Sequence, residues 1–135
     1  MTDATQGAGQ IDTGPREAIL RVVPAPGDIN SNGHIFGGWV LSQMDIAGGI
    51  VAGRLCDGPC ATVAIESMAF IAPILLQDVI SVYARVERRG RTSIAIRLDV
   101  VATRDRGRVE VQVTSGVFTF VALDEQHRPR LLPAA

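Results

Sequence analysis

Lysine does not occur in this sequence of 135 residues: all 13 basic side chains are arginine, which excludes chemistry that runs through a lysine Schiff base. Cysteine and histidine are scarce, with two of each. Cys56 and Cys60 lie four apart with no second pair, whereas a structural zinc takes four ligands at paired spacing, so free buried thiols and no metal are expected. Charge of one sign is lacking too. The formal net charge of −1 offers no electrostatic footprint for nucleic acid. The stretch MTDATQGAGQIDTG has acids but no base and no apolar centre, unlike a signal or transit peptide. An unbroken membrane-length run is also missing, because Ser42, Gln43 and Asp45 interrupt Ile35 to Ala52. Without a phosphate loop, a nucleotide fingerprint or a metal cluster, the expectation is a soluble cytoplasmic protein with no cofactor, no nucleic-acid partner and no membrane partner.

What is present is globular in composition, 47% apolar and 20% charged, and the length fits one domain. Residues 1–14 read as a flexible tail, leaving 15–135 as the domain. Its centre is Asn30 to Gly53, NSNGHIFGGWVLSQMDIAGGIVAG. Turn formers (Asn30, Ser31, Asn32, Gly33) lead through Gly37-Gly38 into about four helical turns that are apolar apart from Asp45 and a few neutral polar groups. Phe36, Val40, Met44, Ala47 and Val51 share one helix face, and Leu41, Asp45, Gly48 and Ala52 an adjacent one. A helix with almost no polar face is a buried helix. A carboxylate in that setting must be paired, hydrogen-bonded or open to a cleft, which singles out Asp45.

Around this helix the sequence reads as strands. Glu17 to Val23 is a first strand closed by Pro24-Ala25-Pro26-Gly27. After the helix ends near Gly53 and Asp57-Gly58-Pro59, Cys60 to Ile71 is rich in β-branched and small residues. Val79 to Arg89 alternates, with Ile80, Val82, Ala84 and Val86 on one face. Thr92 to Thr103 follows the turn Arg89-Gly90-Arg91, with Ile94, Ile96, Leu98 and Val100 alternating. Beyond Asp105-Arg106-Gly107, Val109 to Leu123 forms a very long strand, with Val109, Val111, Val113, Val117 and Val121 assigned to one face. Alternation joined by short glycine turns makes an antiparallel sheet and hence an α+β architecture. One helix covers only one face of such a sheet, so further burial is expected from a second copy of the chain.

The stretch PAPGDINSNGHIFGGWVLSQMD resembles the signature of the hotdog-fold acyl-CoA thioesterases, in particular the acyl-CoA hydrolase branch called YciA-like. The likeness continues through TVAIESMAF, GRTSIAI and VFTFVALDEQHRPRLLP. It implies a hotdog fold, a curved antiparallel sheet wrapped round one long helix, and hydrolysis of acyl-CoA to a carboxylic acid and coenzyme A. It also implies a homodimer with joined sheets and shared active sites, and beyond it a trimer of dimers. Asp45 then corresponds to the catalytic carboxylate, Asn30 to the asparagine acting with it across the interface, and the amides of Gly37 and Gly38 to the helix start that polarises the thioester. Physical chemistry agrees with these roles, since thioester hydrolysis needs a base or nucleophile and donors aimed at a developing oxyanion. Amides at a helix N-terminus point outwards unpaired, and glycine lets a substrate come close.

By the same likeness Arg88, Gly90, Arg91, Thr92 and Ser93 contact the nucleotide of coenzyme A. Arginines, hydroxyls and turn amides suit phosphate, although charged hairpin tips are commonly just solvated. Asn30 also fits a turn-shaping role, and whether Asp45 activates water or attacks the thioester stays open. His34 departs from the acidic or other polar residue that many relatives carry there. Two other readings of the whole remain, an acyl-thioester hydratase or dehydratase and a non-catalytic acyl-CoA binder.

Overall fold

The computed structural model describes residues 17–134, so the tail expected over 1–14 lies outside the described residues. The chain runs through β1 (Leu20–Val22), a single 3-10 turn (Pro26–Asp28), α1 (Gly37–Cys56), β2 (Cys60–Phe70), β3 (Val79–Arg89), β4 (Ser93–Arg104) and β5 (Val109–Ala122). The strands form one antiparallel sheet in the order β1-β3-β4-β5-β2. The first strand is shorter than expected: it pairs β3 only over Leu20, Arg21 and Val22, and it ends before the proline cluster, where backbone donors run out.

α1 stops where the sequence stops supporting it. Asp57 adopts the left-handed conformation (φ 53°), and the N–H groups of Asp57 and Gly58 return to the carbonyls of Arg54 and Gly53, which closes the last turn. The helix presses Val40, Met44, Ala47, Gly48, Ala52 and Cys56 into the sheet. Gly48 is needed for that approach, since a Cβ there would lie 2.7 Å from the Phe120 ring.

The sheet contributes Ile80 and Val82 from β3, Ile94, Ile96, Leu98, Val100 and Ala102 from β4, and Phe118, Phe120 and Ala122 from β5, all buried against the helix. On β5 the expected single valine face is wrong. Val111 and Val113 face the helix, but a register shift opposite Val100 and Val101 inserts one residue, and beyond it Thr114, Gly116, Phe118 and Phe120 face inwards while Val117 and Val121 face the other side. One extra residue in a strand exchanges its two faces.

The expectation of a helix buried nearly all round also fails within one chain. Asp45, Ile46 and Ile50 are exposed, because one sheet covers one side of a helix. β2 is the sheet's edge strand and is exposed along most of its length. No helix among the described residues is long and apolar enough to cross a membrane.

Candidate active site

The loop before α1 is a small closed turn built by Asn30. Its backbone N–H donates to the His34 carbonyl (2.7 Å), while its side-chain Oδ1 accepts the N–H groups of Asn32 (2.9 Å) and His34 (3.1 Å). Gly33 takes a φ of +83° in this turn, a value natural to glycine. The Ile35 N–H donates to the Ile74 carbonyl and so ties the loop to the segment after β2. Asn30 therefore shapes the turn, and that turn delivers it, with His34, to the rim of a cleft of about 280 Å³ walled by Ile35, Gly37, Val40, Phe70, Ile71, Ala72, Pro73, Ile74 and Thr114.

At the helix start the residue before Gly37, Phe36, offers no side-chain cap. The Phe36 N–H donates to the Asp28 carbonyl and the Trp39 N–H to the Phe36 carbonyl. Among the described residues no hydrogen bond takes up the N–H of Gly37 or Gly38. Two adjacent amide donors at a helix start, one of them on the wall of a cleft, can hold a carbonyl oxygen that gains negative charge. The Phe70 ring lies against Gly37, about 3.3 Å from where a Cβ would stand, so a larger residue there would collide with it.

Asp45 stands two turns further along α1, on the side turned away from the sheet's centre. Thr62 on β2 donates its hydroxyl to Asp45 Oδ1 at 2.5 Å, and no ion pair engages the carboxylate among the described residues. Asp45 is not on the wall of the cleft at Gly37. Eight residues at a rise of about 1.5 Å each separate it from Gly37 by about 12 Å along the helix axis. Within one chain, Asn30 and Gly37 come together and Asp45 does not join them.

Thr62 was not singled out in the sequence, where it reads as one more β-branched residue of a strand. It reaches Asp45 from the edge strand β2, just ahead of a register shift between Thr62 and Ala64. The nearby thiols are no rivals for the nucleophile's role. Cys56 and Cys60 are free, and burial pushes both above the ordinary thiol range, which keeps them protonated at neutral pH.

The arginine-rich stretch forms the β3–β4 turn, some of whose groups are already engaged. The Gly90 N–H donates to the Ser93 carbonyl, and the carbonyls of Arg91 and Thr92 accept from Leu132 and Ala122. Arg88 pairs with Glu66 at 3.1 Å, with both side chains exposed, and Arg89 donates to the Pro133 carbonyl. The Gly90 amide is therefore not available to a phosphate, because the tight turn uses it. Among the described residues, no side-chain hydrogen bond engages the Arg91 head or the hydroxyls of Thr92 and Ser93. Among the described residues no group of three or more metal-ligating side chains is present.

A five-stranded antiparallel sheet curled round one long helix, with uncapped glycine amides at the helix start, defines a hotdog-fold protein. Residues 32–116 match the family model described as the thioesterase superfamily. The chain is 43% identical over 121 residues to the acyl-CoA thioester hydrolase YciA of Salmonella typhimurium, covering 87% of this chain and 90% of that one. In structure it is similar to a hexameric thioesterase from Yersinia pestis, with a TM-score of 0.83 and 39% identity over 91% of this chain and 100% of that one. It is equally similar to a hexameric broad-specificity acyl-coenzyme A thioesterase solved as an aspartate-to-alanine mutant, with a TM-score of 0.83 and 41% identity over 88% of both chains. The chain belongs to the thioesterase superfamily, among its acyl-CoA thioester hydrolases.

Proposed function

We propose that this protein hydrolyses acyl-CoA thioesters at sites shared between two copies of the chain. The Gly37 and Gly38 amides of one subunit hold the thioester oxygen, and Asp45 of the other supplies the base or nucleophile. The observation that carries the shared site is the separation of about 12 Å along one helix between Gly37 and Asp45, far beyond the hydrogen-bond reach that a catalytic carboxylate needs. Asn30, fixed at the cleft rim by its own turn, works beside the partner's carboxylate. Thr62 orients Asp45, leaving its second oxygen for water or the thioester carbon.

The surface around Asp45 supports such pairing. Ile46 and Ile50 flank it on α1, and Val63 and Ile65 follow Thr62 on β2, each 38–58% exposed. β2 pairs only with β5, so its other side presents unpaired backbone groups to a second β2. Joining two such edges would cover the apolar rows and bring the helix starts together. Three such dimers then make a hexamer, the assembly named for several of the similar solved structures. Arg88, Arg91, Thr92 and Ser93 take the nucleotide of coenzyme A, with Glu66 giving up Arg88 to phosphate. A cytoplasmic setting completes this reading and is supported by the two free thiols.

Mixing tests the shared site. Asn30→Ala and Asp45→Ala proteins, each inactive, are unfolded and reassembled together. Random pairing gives mixed dimers with one intact site and one site lacking both residues, so thiol release should recover to about a quarter of wild type. No recovery in verified mixed dimers would place both residues in one chain.

A further inference from the structure

Residues 124–133, which follow β5, contribute nothing to the cleft at Gly37, yet they are tied to two parts of the molecule that the reaction uses. The Arg130 N–H donates to the Ala122 carbonyl at 2.9 Å, so the chain turns back along the end of β5. The Arg130 guanidinium donates to three carbonyls, those of Cys56 at 2.7 Å, Leu123 at 2.8 Å and Leu131 at 3.4 Å. Cys56 is the last residue of α1, where carbonyls lack partners within the helix and a cation is favourable. Gly58 leaves room for the head, since a Cβ there would lie 2.9 Å from an Arg130 nitrogen. Arg130 thus roots the segment on the helix that carries Asp45.

From that root the segment reaches the β3–β4 turn. The Leu132 N–H donates to the Arg91 carbonyl at 2.9 Å, and Arg89 donates to the Pro133 carbonyl at 2.8 Å. The Arg89 head is thereby spent on a tie and not on a ligand. Across a trans peptide the carbonyl and the next N–H point opposite ways, so fixing the Arg91 carbonyl on Leu132 turns the Thr92 N–H away from the segment. No hydrogen bond takes up that N–H among the described residues. Without the tie the peptide could rotate and offer a phosphate its carbonyl oxygen, which repels an anion, in place of the N–H, which attracts it. We infer that residues 130–133 position the β3–β4 turn for the nucleotide of coenzyme A, and that Leu132 is a positioning residue acting through its backbone N–H. The inference rests on the assignment of the nucleotide to this turn.

The test measures the affinities of coenzyme A and of pantetheine by calorimetry, together with kcat and KM for butyryl-CoA and S-butyryl-pantetheine. Leu132→Pro removes the N–H and no charge, whereas Leu132→Ala keeps the N–H and trims a side chain that packs on the core. In Leu132→Pro the affinity for coenzyme A should fall, and the KM of butyryl-CoA rise, about three- to tenfold, the worth of one hydrogen bond. Pantetheine affinity and kcat should stay as in wild type, and Leu132→Ala should keep the wild-type ratio of the two affinities. An equal loss for both ligands, or the same change of ratio in Leu132→Ala, is what a purely structural leucine would give and overturns the inference. So does an unchanged ratio in Leu132→Pro; if Arg88→Met and Arg91→Met together still lower the ratio, the nucleotide assignment survives that failure. If wild type binds coenzyme A and pantetheine equally, the nucleotide lies elsewhere and both fall. Should Leu132→Pro not fold, Arg130→Gln decides, because it loosens the root without touching the turn: a lowered ratio supports the inference and a wild-type ratio overturns it.

Discussion

Asp78 and Asp45 are both aspartates set among apolar side chains, and the fold treats them in opposite ways. Asp78, just before β3, is 1% exposed and fully engaged. Its oxygens accept Arg104 Nε at 2.8 Å, a second Arg104 nitrogen at 3.1 Å and the Leu75 N–H at 2.8 Å. Arg104 also donates to the Pro73 carbonyl, so the pair pins the segment that forms the far wall of the cleft. Asp45 has one threonine hydroxyl and an exposed position beside isoleucines. Asp78, which serves the fold, has its hydrogen-bonding capacity used up inside the chain, whereas Asp45, the proposed catalytic group, is left with capacity to spare and an unfinished surface around it.

The sharpest way to break the comparison is to neutralise each carboxylate's role in turn. Asp45→Asn should lower thioester hydrolysis by about 10²–10⁴ fold, the range of one acid–base group, with an unchanged urea midpoint; near-normal thiol release would remove Asp45 from the chemistry. Arg104→Met should do the reverse. It leaves Asp78 buried without its cation, so stability should fall by about 3–5 kcal/mol in urea unfolding, while activity of the folded fraction persists. A loss below about 1 kcal/mol would mean that Asp78 is not held as described.

A third change addresses the unfinished surface. Ile65→Asp places a charge on the exposed edge strand and should split the assembly into smaller species by light scattering, with activity falling at least about tenfold as shared sites are lost, since a desolvated charge at an interface core is strongly unfavourable. Intact assembly would mean that the copies join elsewhere. The smallest effect is expected for Thr62→Val, which removes the single bond to Asp45. kcat should fall about tenfold with little change in KM, and Thr62→Ser should restore most of it. A change confined to KM would mean that Thr62 serves binding.

Much of this was legible in the residues. The turn formers and the double glycine marked where α1 begins, β3 follows its alternation from Ile80 to Val86 before a register shift ahead of Arg88, and Asp45 stood out as the one charge between Gly37 and Gly53. Each of these is local: a periodicity, a breaker or an odd residue within a few positions. Local patterns did not reveal that Asp45 would be exposed in a single chain, since exposure depends on how much of a helix one sheet can cover.

The sequence by itself determined the elements, their order, the family signature and the presence of one carboxylate in an apolar stretch of helix, because these depend on contacts within a turn or two of chain. Tertiary structure alone decided which face of β5 meets the helix, since one inserted residue opposite Val100 and Val101 reverses the alternation without disturbing the composition. It also decided that Thr62 reaches Asp45 from 17 residues away, that Phe70 lies on Gly37, and that Thr114 opens into the cleft. These contacts depend on strand register, and register is set by pairing across the sheet, where residues distant in sequence become neighbours.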